Sequence, residues 1–137
     1  MSLYTQFETD ADLETKGFAL EIIDGSGTTT FILARAGGKN REFTKYLQQL
    51  MKPHQRAASR GTLKDEIAEQ AGLKAISRHV VLAWENVKDR NGNPLDYSEE
   101  NCFNLLTDLP DLADFLLKEA NNEANFLMEE REEDAKS

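Results

Sequence analysis

The first regular pattern along the chain is an alternation. Phe18, Leu20 and Ile22 fall on one side of an extended segment, and Thr28, Thr29, Thr30, Phe31, Ile32 and Leu33 follow as a β-branched, apolar run. Between them, Asp24-Gly25-Ser26-Gly27 suits a turn, with glycines free to take positive φ. The pattern predicts a β-hairpin over 17–36. Two strands alone are marginal in water, so the hairpin must pack on other elements or pair with another chain.

Beyond Gly37-Gly38 the period becomes helical. Phe43, Tyr46, Leu47, Leu50 and Met51 predict an amphipathic helix over 40–51, closed by Pro53. Residues 55–61 are basic and polar with no apolar face, and read as a mobile connection. Thr62 and Asp65 suggest a capping box for the next helix. Leu63, Ile67 and Ala71 lead to Gly72, which costs a helix about 1 kcal/mol relative to Ala. Ile76, Val80, Ala83, Trp84 and Val87 resume the pattern. Helices over 63–71 and 73–88 follow, separate or continuous, although the short apolar run 80–84 also fits a strand.

Residues 89–94 form a strong turn signal in which Gly92 and Pro94 set the shape. Ser98 caps the next helix, and Glu99 and Glu100 suit its positive N-terminal end. Phe103, Leu105, Leu106 and Leu109 give that helix an apolar face. Pro110 opens another helix, continued by Leu112, Phe115, Leu116, Ala120, Ala124 and Leu127. The expected core comprises Trp84, Phe103, Leu106, Leu112, Phe115 and Leu116. The expected fold class is mainly α (α+β), an N-terminal β-hairpin followed by a bundle of four or five helices. One domain over 17–130 is expected, preceded by a flexible acidic arm over 1–16 and followed by a charged tail over 131–137.

Charge changes this picture more than composition does. The 137 residues carry a formal net charge of -9, with 16 Lys and Arg against 25 Asp and Glu. From Arg35 to Lys64, eight bases stand against one acid, Glu42, or +7, which leaves -16 for the rest of the chain. A basic middle with acidic ends favours head-to-tail association that salt weakens. The expected protein-binding surface is therefore Lys39, Arg41, Lys45, Lys52 and Arg56, meeting an acidic surface on another copy or a partner. Overall acidity disfavours nucleic acid. No apolar stretch approaches the ~18 residues of a membrane span, and the start lacks the basic and apolar regions of a signal peptide.

Candidate chemistry is sparse. One Cys and two His exclude a disulfide framework and a Cys/His zinc module. Gly37-Gly38-Lys39-Asn40 fails the phosphate-loop pattern, because Leu33 stands where the first Gly is required and Asn40 where Ser or Thr is. Cys102 lies among Asn101, Phe103 and Asn104 on an expected helix and reads as a buried, inert thiol, as free Cys commonly is, and His54 and His79 have no carboxylate partner at a telling spacing. No catalytic, cofactor or metal residues are assigned, and a non-enzymatic interaction protein is expected. Residues 67–78 resemble the helix-turn-helix of small repressors, with Gly72 in the turn and Ser77-Arg78 on the second helix. That alternative, a DNA-binding regulator, is opposed by the total charge and by the apolar run that follows.

A second resemblance covers the last third of the chain. Trp84-Glu85-Asn86-Val87-Lys88-Asp89, Asn91-Gly92-Asn93-Pro94-Leu95, Tyr97-Ser98, Glu100-Asn101, Leu105-Leu106, Leu109-Pro110-Asp111-Leu112 and Phe126 resemble the tail assembly chaperones of long-tailed bacteriophages. The resemblance implies a protein that binds the tape measure protein, keeps it soluble and helps tail tube subunits assemble around it. It implies self-association, and a longer form, made by ribosomal frameshift, that engages the tail tube protein. It implies action in the cytoplasm of the infected host and absence from the finished tail. A structural head–tail or tail component of the virion is the other phage reading.

Overall fold

The computed structural model describes residues 2–128. Two short helices, α1 (Leu3–Phe7) and α2 (Ala11–Lys16), precede β1 (Phe18–Asp24) and β2 (Gly27–Leu33). Then come α3 (Arg41–Met51), a 3-10 turn (Lys52–His54), α4 (Gln55–Ser59), α5 (Asp65–His79), β3 (Val81–Glu85), α6 (Glu99–Asp108) and α7 (Pro110–Asn121). A 3-10 turn at Glu123–Phe126 follows.

The expected architecture needs correction. The hairpin is not followed by a bundle of helices alone. It belongs to a three-stranded antiparallel sheet of order β1-β2-β3, whose third strand lies deep in the helical half of the sequence. The hairpin runs in register from Phe18 opposite Leu33 to Asp24 opposite Gly27. β3 pairs Trp84 with Phe31 and Ala83 with Ile32, and a bulge between Ile32 and Leu33 brings Val81 opposite Leu33. The physical reason is an edge: a lone hairpin leaves β2 unpaired on one side, and the β-branched run at Val80-Val81 covers it. The ambiguity at 80–84 is thus resolved as strand, and the helix expected over 73–88 ends at His79.

α5 is continuous through Gly72. Its N-cap is Lys64, with no side-chain cap, so Thr62 and Asp65 do not form the expected box. Residues 55–59, expected to be mobile, form α4. In contrast, Ser98 caps α6, its hydroxyl accepting from the Asn101 amide at 2.9 Å. The turn after β3 also forms as read. The Asp89 carboxylate accepts from the amides of Asn91 (2.9 Å) and Asn93 (3.0 Å). Gly92 takes φ +81°, which favours glycine, and Lys88 bridges to Pro94.

The core lies between the sheet and helices α5 to α7. Leu33, Val80, Val81, Cys102, Leu106 and Leu116 are fully buried, each large aliphatic side chain contributing about 1.5–3 kcal/mol. Trp84 is buried as expected; its indole Nε1 donates to the Leu95 carbonyl at 2.8 Å, and its ring meets Tyr97 edge-on at 5.1 Å. Leu112 is half-buried against the core, and Phe103 is half-buried. Phe115 is 41% exposed, and this corrects its expected place in the core. On α7 the inward stripe is Leu112, Ala113, Leu116 and Ala120, and Phe115 falls outside it.

The acidic arm expected over 1–16 is seated for part of its length. The Asp10 carboxylate caps α2, accepting from the amides of Asp12 (2.8 Å) and Leu13 (3.3 Å). Glu14 is fully buried and forms a salt bridge with Arg35. Its other oxygen accepts from the Thr9 hydroxyl at 3.1 Å. A buried carboxylate persists only when paired in this way. The Asp10 amide donates to the Phe126 carbonyl at 2.8 Å, and Thr9 bridges to Leu127. The charged tail expected over 131–137 lies outside the described residues.

Candidate functional site

Where α5, α6 and α7 converge they leave an open groove of about 620 Å³. Its floor is apolar, built from Leu73 and Ile76 of α5, Leu106 of α6, and Ala113 and Leu117 of α7. The helical period places Leu73 and Ile76 on the same face of α5 as Glu69, so one stripe supplies both floor and rim. Glu66 and Glu69 stand on one side of the groove and Asp114 on the other. All three are exposed, and none forms a salt bridge among the described residues. Gly72 also lines the groove, and a Cβ built there would meet nothing within 4 Å.

The basic segment occupies another surface. Lys39, Arg41, Lys45, Lys52 and Arg56 are all exposed. Lys39 stands apart from the others because its ammonium donates to the Thr9 carbonyl at 3.1 Å. Arg41 and Lys45 lie on α3, Lys52 in the following 3-10 turn, and Arg56 on α4. Arg60 extends this line one turn further. Among the described residues, Arg41, Lys45, Lys52, Arg56 and Arg60 form no salt bridge. Among the described residues the structure therefore presents bases on α3–α4 and acids around the groove that form no salt bridge.

The reactive residue types are in protecting surroundings. Burial pushes the Cys102 thiol up to about 11, which keeps it protonated and poorly nucleophilic near neutrality. Burial, followed by the nearby Cys102 and Glu99, pushes Tyr97 up to about 12. Its hydroxyl donates to the Val81 carbonyl at 2.6 Å, a bond that holds the loop before α6 against β3. His79 is lowered, first by burial and then by Arg78, and its ring packs against Tyr46. Among the described residues no three His, Cys, Asp or Glu side chains gather closely enough to hold a metal ion. No helix among them is long and apolar enough to cross a membrane.

The helix-turn-helix reading of 67–78 fails on geometry. That motif needs two helices at a steep angle, and α5 runs unbroken from Asp65 to His79. Trp84, Leu106 and Leu116 are buried, Ser98 caps α6, and Gly92 and Pro94 lie in the 89–94 turn. The groove acids Glu66, Glu69 and Asp114 were not legible as a group, because α5 and α7 meet only in the fold. Gly72 was the one available signal, a helix-weakening residue inside an otherwise regular stripe.

A family model described as YdaY prophage protein matches residues 38–137. No curated protein and no solved structure matches the chain.

Proposed function

Starting from the YdaY prophage protein family, to which the chain belongs, we propose that it is a phage tail assembly chaperone. In this reading it binds the tape measure protein, keeps that protein soluble and promotes tail tube assembly as a self-associating, non-enzymatic scaffold in the host cytoplasm. The resemblance over residues 84–127 supports it, and those residues form one packed unit of β3, the 89–94 turn, α6 and α7. The observation that carries it is the open groove of about 620 Å³ against that unit, whose apolar floor and polar rim can take the apolar face of an amphipathic helix. A partner rich in apolar helix needs such a surface to stay soluble.

Self-association forms the second half of the reading, with Lys39, Arg41, Lys45, Lys52 and Arg56 as the basic contact surface. It is supported by the exposure of these bases, which form no salt bridge among the described residues, and by the acidity of the rest of the chain. Co-expression with the tape measure protein of the same prophage tests the first half. Increased soluble tape measure protein and co-purification are expected. An insoluble tape measure protein with no co-purification would sink the chaperone reading. Finding the chain as a stoichiometric component of purified particles would instead make it a part of the virion.

A further inference from the structure

The basic segment and the groove complement each other in charge and in shape. We infer that, while no tape measure protein is bound, the groove between α5, α6 and α7 receives α4 of a second copy, so that partner and copy compete for one surface. This rests on the self-association reading and names the acceptor surface for it. Lys52 in the 3-10 turn, Arg56 in α4 and Arg60 at its C-cap recur at spacing four and are all exposed. Three acids, Glu66, Glu69 and Asp114, border the groove. Neither set finds a salt-bridge partner among the described residues, so among these the complementarity is unsatisfied.

Size agrees with charge. α4 exposes Ala58 and Ser59, small side chains that let its backbone come close to another surface. Opposite it, Gly72 leaves open space on α5. Among the described residues no contact requires glycine at that position, although it weakens the helix by about 1 kcal/mol. A close approach by a narrow helix gives it a use. The aliphatic stems of Lys52, Arg56 and Arg60 would then lie along Leu73 and Leu117, with their charged ends at the acidic rim. α1 also exposes large apolar side chains, Leu3, Tyr4 and Phe7, but it carries no base and so lacks a match to the rim. Because donor and acceptor are different surfaces, the contact is heterologous and repeats as an open array unless its rotation closes a ring.

Sedimentation velocity of the full chain over a concentration and salt series tests this. Arg56→Glu/Arg60→Glu and Glu69→Lys/Asp114→Lys should each weaken association by about tenfold or more. Glu66 is left in place because it also favours the start of α5. Mixing the two variants should restore assembly, since each then offers the charge the other lacks. Gly72→Leu should weaken association without changing charge, and circular dichroism would verify that each variant is folded. If the wild type assembles but the groove variants assemble equally well, or the mixture stays monomeric, the groove is not the acceptor. Loss of assembly on changing Leu3 and Phe7 alone would assign the groove to α1. A wild type that stays one size at every concentration and low salt would remove self-association itself.

Discussion

Arg35 forms a salt bridge with Glu14 across 21 residues of chain, and its guanidinium lies 5.9 Å from the centre of the Phe126 ring. The pair joins three parts of the molecule: α2, the segment after β2, and the 3-10 turn that follows α7. The Arg35 amide also donates to the Glu14 carbonyl at 2.8 Å, so backbone and side chains hold the same junction. Gly38 completes it. A Cβ there would stand 2.5 Å from Glu14 Oε1 and 2.8 Å from Arg35 Cδ.

We predict that Glu14→Gln destabilises the fold by about 3 kcal/mol, the lower end for breaking a buried pair, because the Arg35 side chain is still 22% exposed and keeps some solvent. Urea unfolding measures it. A loss below about 0.5 kcal/mol would mean that the pair contributes no more than a surface bridge.

Two glycine substitutions should act in opposite directions. Gly72→Ala should stabilise by up to about 1 kcal/mol, since the helix is continuous and the added methyl meets nothing. Gly38→Ala should destabilise, since its φ is +55° and the new methyl collides with the Glu14–Arg35 pair. Thermal melts of the two proteins side by side give the comparison. Equal shifts would contradict the account.

Stability should fall on the alkaline side. Cys102 is raised from 9.0 to about 11 and Tyr97 from 10.0 to about 12. Both acids hold their protons more tightly when folded. Their contribution is therefore complete below about pH 9 and is lost as pH rises through 11 and 12. Unfolding free energies between pH 8 and 12 should decline, and Tyr97→Phe should flatten the upper part of the decline. That substitution should also cost about 1 kcal/mol near neutrality, through loss of the bond to Val81. The Cys102 thiol should resist a thiol reagent in the folded protein and react on unfolding.

His79 acts with the opposite sign. Its value is lowered, so the unfolded chain binds the proton more readily and stability should fall as pH drops below about 6.5. His79→Gln should remove that part of the acid dependence, as read from melts between pH 7 and 5. An unchanged profile would count against it.

Replacing Ser98 with Ala should cost about 1 kcal/mol, because the α6 amide of Asn101 loses its acceptor. Hydrogen exchange at the first turn of α6 would localise the effect. Unaltered exchange there would show that water replaces the cap.

What the sequence revealed divides by range. Local chemistry was legible: the 24–27 turn, the Ser98 cap, the Gly92 turn and the apolar stripe of α3 all form as their residues require. The bundle was misread because β3 is a long-range fact. Val81 to Glu85 has a helical continuation in its own neighbourhood, and only the unpaired edge of β2, some fifty residues earlier, makes it a strand. Glu14 was hidden for a similar reason. Its partners Thr9, Arg35 and Gly38 come from three segments, and a run of acids reads as solvated surface until a base is placed beneath it. The groove was equally out of reach, since its acids lie on α5 and α7.

The bridge from Thr9 to Leu127 has a consequence for the order of events during synthesis. A ribosome releases α1 and α2 first, yet the backbone partners of Glu8, Thr9 and Asp10 lie at residues 126–128. Those three backbone contacts must therefore wait for nearly the whole described chain, whereas Glu14 of α2 can meet Arg35 much earlier. Until then Glu14 has its base but not the Phe126 ring that shields the pair. Closure of this junction is a late step, set by the arrival of the Glu123–Phe126 turn.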